Sequence, residues 1–132
     1  MKTINRFALS VAFSLLLAGL AQAGTNSITS KSAGPVQLGM AVAQVRKAVK
    51  PWKLSRTSDG EGVALIAVKS GNVLIMTLYA GEPDPAANIN ENAKIELIQV
   101  RVSSFTTANG VHVGMTLKSA EKKYGKIKQI LL

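Results

Sequence analysis

The chain has 132 residues, with 16 Lys and Arg against 7 Asp and Glu, one His, no Cys, and 47% hydrophobic residues. That length excludes more than one small domain or two half-sized repeats. The mean hydropathy of +0.21 excludes disorder, because enough apolar side chain is present to offset the entropy of ordering. The absence of Cys excludes thiol nucleophiles, zinc–thiolate sites and redox pairs.

Lys2 and Arg6 precede an apolar run of 14 residues, Phe7 to Leu20, and Ala21-Gln22-Ala23 follows it. This order predicts a signal peptide over residues 1–23, cleaved after Ala23, and a periplasmic or secreted product. As a helix the run reaches roughly 21 Å, short of the roughly 30 Å hydrocarbon core, so no transmembrane anchor is expected after cleavage. Removing 23 residues and two cations leaves 109 residues of net charge +7. Exported domains of that size commonly use disulfides. With none available, the apolar core must be sufficient alone.

Gly24 to Ala33 is polar and without periodicity, and reads as a flexible leader (24–33) before a single α+β domain (34–132). Pro35 to Leu38 alternates as a short extended entry, and Gly39 permits a turn that a Cβ would hinder. From Met40 to Lys50, Val42, Val45 and Val49 recur at helical spacing, and Pro51 ends the helix. Strand-like runs follow at Trp52–Arg56, Val63–Lys69, Val73–Ala80 and Ala93–Ser104, divided by turn formers. The middle pair predicts a hairpin through Ser70-Gly71-Asn72.

Shifting Gly34–Val49 by 75 positions matches Val36 with Val111, Gly39 with Gly114, Met40 with Met115 and Lys47 with Lys122. The helical face matches too, because Leu117, Ala120 and Tyr124 repeat the spacing, while Thr116 can cap the second helix and Gly125 can end it. This predicts a tandem repeat: the first over 34–104, and a partial second over 109–132 that stops after one strand, Ile127 to Leu132. Gly39-Met40 and Gly114-Met115-Thr116, each after a short strand and before an amphipathic helix, are the structural motif. The pattern resembles the repeat of β-lactamase-inhibitory proteins and of the small lipoproteins of the outer-membrane β-barrel assembly machinery. That resemblance implies helices on an antiparallel sheet, and a role in envelope assembly or in occluding a hydrolase.

Whichever two of these residues form the turn, the hairpin places Val63, Leu65, Ala67, Leu74, Met76 and Leu78 on one face, and Ala64, Ile66, Val68, Val73, Ile75 and Tyr79 on the other. Both faces are then apolar. The phase change at Leu97-Ile98 predicts a bulge. Helices can cover one face; the leader, the second repeat, a twin subunit or a client protein must cover the other. Candidate contact residues on that side are Ile66, Val68, Ile75 and Tyr79, with Trp52 as an anchor.

Lys118, Lys122, Lys123 and Lys126 form a cationic helical face, suited to anionic lipid, cell-wall polymer or an acidic protein. Nucleic acid is not expected, since a single aromatic, Tyr124, accompanies these lysines. His112, in an alternating segment, reads as a strand residue rather than a base. Asn88, Asn90 and Asn92 suggest a calcium loop, but Ala93 and Gln99 stand where the required Gly and Glu would be. No catalytic residue, metal site or cofactor is therefore expected.

The expected fold is α+β: two short amphipathic helices packed on an antiparallel sheet of four to five strands, with an incomplete second repeat. The expected function is a non-enzymatic, exported, protein-binding module of the bacterial cell envelope, its partner an envelope or extracellular protein or a second copy. The alternative is a peripheral envelope protein held on anionic lipid or polymer by its Lys-rich C-terminal helix.

Overall fold

The computed structural model describes residues 26–125. The signal peptide expected over residues 1–23, Lys126 and the segment Ile127–Leu132 lie outside the described residues. Within them the chain is α+β. The strands are β1 (Ser27–Ile28), β2 (Ser32–Ala33) and β3 (Val36–Gln37); after helix α1 (Val42–Ala48) come β4 (Lys53–Ser58), β5 (Ala64–Ser70), β6 (Val73–Tyr79), β7 (Leu97–Val100) and β8 (Thr106–Thr107), and helix α2 (Leu117–Tyr124) follows. They form two four-stranded sheets, β3-β2-β1-β8 and β4-β5-β6-β7. The larger is antiparallel throughout, whereas β1 and β8 pair in parallel.

The core gathers where α1 and the small sheet meet one face of the large sheet. Val42, Val45 and Val49 are buried, as their helical spacing predicts, with Ile66, Val68, Met76 and Leu78 from β5 and β6 and with Ile95 and Phe105. Each such side chain contributes about 1.5–3 kcal/mol on burial. The helix start is fixed by Gln44, whose Oε1 accepts the Ala41 N–H at 2.9 Å.

Residues 27–33 do not form the flexible leader expected from their composition. Ile28 pairs with Ala33 across a tight connection, β2 continues to β3, and Ala33 is buried in the core. Ser and Thr conceal this in the sequence because their hydroxyls close the turn: Thr29 Oγ1 lies 2.7 Å from Ser32 Oγ and accepts the Lys31 N–H.

The expected hairpin forms; it turns at Gly71, where φ is +60°, and Ser70 faces Val73. One irregularity then changes everything beyond it. Lys69 pairs with Leu74 but Val68 pairs with Met76, leaving Ile75 as an extra residue on β6. A bulge of one residue exchanges the faces of the strand beyond it. Met76 and Leu78 therefore join Ile66 and Val68 inside, and Thr77 joins Ala67 outside. The outer face carries Ser55, Thr57, Lys69, Thr77 and Gln99 among its apolar residues. The expectation of a sheet apolar on both faces is thus corrected. The bulge expected at Leu97-Ile98 is absent, and β7 pairs with β6 in unbroken register from Leu97 to Val100.

The two Gly-Met segments have the same local geometry. Gly39 and Gly114 hold φ of +87° and +88°. Ala41 (φ −70°, ψ 149°) and Thr116 (φ −70°, ψ 153°) stand at the helix starts. The Met40 N–H donates to Gln37 O and the Met115 N–H to His112 O, each at 3.3 Å. As expected, Thr116 caps α2, its Oγ1 accepting the Ser119 N–H at 3.1 Å, and Gly125 ends it. The surroundings differ: α1 contributes buried valines, and no residue of α2 is buried.

Candidate binding surfaces

Arg56 organises the long connection from Gly81 to Asn92. Its guanidinium spreads five donor bonds, two to Glu82 (2.6 and 2.9 Å) and three to the carbonyls of Leu65, Ala87 and Asn88. The planar fork of Arg suits such a bidentate carboxylate pair. Glu82 Oε1 also accepts the Asn90 N–H at 2.8 Å. These bonds, chiefly from Arg56, hold the Glu82 carboxyl below the usual carboxylate range against the opposing effect of burial. Further along, Glu91 pairs with Arg46 at 2.7 and 3.0 Å. A carboxylate so committed to Arg is poorly placed to exchange protons with a substrate, and among the described residues no three His, Asp or Glu gather as metal ligands.

The same connection delivers an extended segment to α1. Glu91 O and Ala93 O accept the N–H groups of Ala43 and Val42, and Ile95 exchanges bonds with Gly39 and Met40. Lys94 bridges to Ala41 in antiparallel sense, and Ile95 is buried. The first helical unit is thus completed by residues far along the sequence.

Most residues expected to form a contact surface serve the core instead. Ile66, Val68 and Ile75 are buried because the β6 bulge and α1 enclose their side of the sheet, so they cannot meet a partner. Trp52 is partly buried, its ring centroid 6.3 Å from that of Phe105. Tyr79, opposite Leu97 on the outer face, remains half-buried. Lys118, Lys122 and Lys123 are exposed on α2, as the helical pattern implies. His112 is half-buried, its Nδ1 2.9 Å from Val113 O.

The accessible apolar surface lies elsewhere. A groove of about 190 Å³ runs between the β1–β2 turn and β7, lined by Ile28, Leu38, Leu97, Ile98 and Val100. Leu38 and Leu97 are 42% and 49% exposed there. Sequence reasoning passed over both. The adjacent pair Leu97-Ile98 was the available signal, since in a strand without a bulge one of two consecutive residues must face outward. A second accessible patch surrounds α2, where Leu117 and Tyr124 are 50% and 57% exposed and Val113 is exposed beside them. In comparisons with known proteins, no family model, no curated protein and no solved structure matches this chain.

Proposed function

We propose that the protein is a non-enzymatic, exported, protein-binding module of the bacterial cell envelope, an accessory of envelope assembly or an inhibitor of a hydrolase. The observation that carries this reading is the apolar groove beside β7, where Leu38 and Leu97 stand exposed above Ile28, Ile98 and Val100. Exposed apolar patches rimmed by polar residues mark interaction sites on soluble proteins. The Arg-neutralised Glu82 and Glu91 support a scaffold role for the acidic loop.

The signal-peptide pattern of residues 1–23 supports export, and a mature N-terminus at Gly24 by Edman sequencing tests it. Affinity capture from envelope extract tests the binding role. A stoichiometric partner retained by the native chain and lost in Leu38→Asp and Leu97→Asp, at unchanged melting temperature, is the expected result. Equal capture by all three would remove the groove from the reading. A second reading, a peripheral protein on anionic lipid or polymer, is favoured by Lys118, Lys122 and Lys123 beside the exposed Leu117 and Tyr124. Vesicle binding that weakens with salt and with Lys-to-Gln changes tests it.

A further inference from the structure

The first helical unit shows how a Gly-Met segment of this chain is completed. Gly39, Val42 and Ala43 donate their N–H groups to the carbonyls of Ile95, Ala93 and Glu91 respectively, in bonds of 2.8–3.0 Å, and Met40 O accepts from the Ile95 N–H at 2.9 Å. The second unit holds the corresponding groups in matching geometry: the N–H groups of Gly114, Leu117 and Lys118, and the carbonyl of Met115. Its glycine φ, its cap dihedrals and its Met N–H bond repeat those of the first unit. Among the described residues, none of these four groups has a backbone partner comparable to Glu91–Ile95. The apolar side chains match as well. Val42, Val45 and Val49 are buried under the sheet, while their counterparts Leu117, Ala120 and Tyr124 have no such cover.

We propose that the Gly114–Lys118 rim is a receptor for an extended aliphatic strand of a partner protein, which docks as Glu91–Ile95 docks on Gly39–Ala43. The inference rests on the protein-binding reading and names the form of the partner at a second surface. The occupant is a strand because the groups on offer are three donors and one acceptor spaced for an antiparallel bridge. It is aliphatic because the position filled by Ile95 in the first unit is a buried one. Main-chain bonds supply the register, and the side chain entering beside Leu117 supplies the selectivity.

The probe is a synthetic peptide with this chain's own Asn90–Ile98 sequence, added to the full-length protein. Its first-unit equivalent is already filled intramolecularly, so added peptide reports on the second unit. Amide hydrogen exchange is the readout. In the free protein the Leu117 and Lys118 amides should exchange fast and those of Val42 and Ala43 slowly. Saturating peptide should slow the first pair and leave the second unchanged.

Leu117→Pro removes one donor at the first helical position, where proline is tolerated. It should weaken the peptide by about three- to tenfold, the value of one net hydrogen bond. Leu117→Ala keeps the N–H and separates loss of the side chain from loss of the donor. An unchanged melting temperature for both variants shows that the fold is intact.

Peptide that fails to protect Leu117 and Lys118, or binds Leu117→Pro as well as Leu117→Ala, overturns the proposal. Protection by anionic vesicles but not by peptide overturns it in favour of a lipid surface. A concentration-dependent dimer abolished by Leu117→Pro overturns it in favour of a second copy. Partner capture that depends on Leu38 and Leu97 is read separately, so loss of the strand receptor leaves the groove reading standing.

Discussion

Arg56 on edge strand β4 and Glu82 at the start of the Gly81–Asn92 connection form a bidentate pair, closed at 2.6 and 2.9 Å with side chains only 15% and 9% exposed. Together they tie the sheet edge to the chain that goes on to complete α1. Removing Arg56 leaves Glu82 largely buried without its cation and frees three carbonyls of their shared donor. Arg56→Ala should cost about 1.5–3 kcal/mol, as expected for hydrogen bonds to charged groups, and lower the melting temperature by several degrees. Arg46→Ala is the comparison: the Arg46–Glu91 pair is 43% and 44% exposed, and exposed pairs are worth about 0–1 kcal/mol.

The same pair sets a dependence on pH. The hydrogen bond from Arg56 is the main cause of the lowered Glu82 pKa. A carboxyl whose folded pKa is depressed adds stability above its unfolded pKa and loses it as pH falls through the folded one. Denaturant midpoints measured from neutral pH down into the acid range should therefore fall below the ordinary carboxylate pKa. In Glu82→Gln that part of the slope should be reduced; an identical profile would remove Glu82 from the acid transition.

The β6 bulge predicts which residues are energetically coupled. Val68 faces Met76, and Leu65 lies on the opposite side of the sheet. A double-mutant cycle of Val68→Ala with Met76→Ala should show an interaction of about 0.5–3 kcal/mol. The cycle of Leu65→Ala with Met76→Ala should be additive. A regular hairpin without Ile75 as an extra residue reverses the two results.

The two helical units should differ in what their apolar residues contribute. Val45→Ala empties a fully buried position and should destabilise by about 1–3 kcal/mol. Leu117→Ala, at a half-exposed position, should change stability by less than about 0.5 kcal/mol. Thermal denaturation of both variants measures the contrast.

Helix α1, the β5–β6 hairpin and both Gly-Met turns were legible in the sequence, because each rests on local periodicity or on a φ that glycine accommodates. The side of the sheet was not. The turn at Gly71 fixes register only as far as Lys69, and the extra residue at Ile75 leaves no mark in a run of alternating apolar side chains. Ile66, Val68 and Ile75 were therefore read as a surface when they are core. The N-terminal strands were hidden for another reason: Ser27–Ala33 gains its order from pairing with Thr106–Thr107 and from the burial of Ala33, and neither is local. Of the accessible patches, the cationic side of α2 was visible as spacing. The groove at Leu38 and Leu97 depends on two elements meeting that sequence alone does not bring together.

The parallel pairing of Ser27–Ile28 with Thr106–Thr107 spans 79 positions of sequence. A chain emerging N-terminus first can pair β1 with β2 at once, but the other edge of β1 has no partner until Thr107 has appeared, by which time both halves of the β5–β6 hairpin are already outside. Closing so long a loop for two residues of pairing is costly in entropy. The clasp therefore forms last during synthesis, and its amides should be the earliest of the strand amides to exchange.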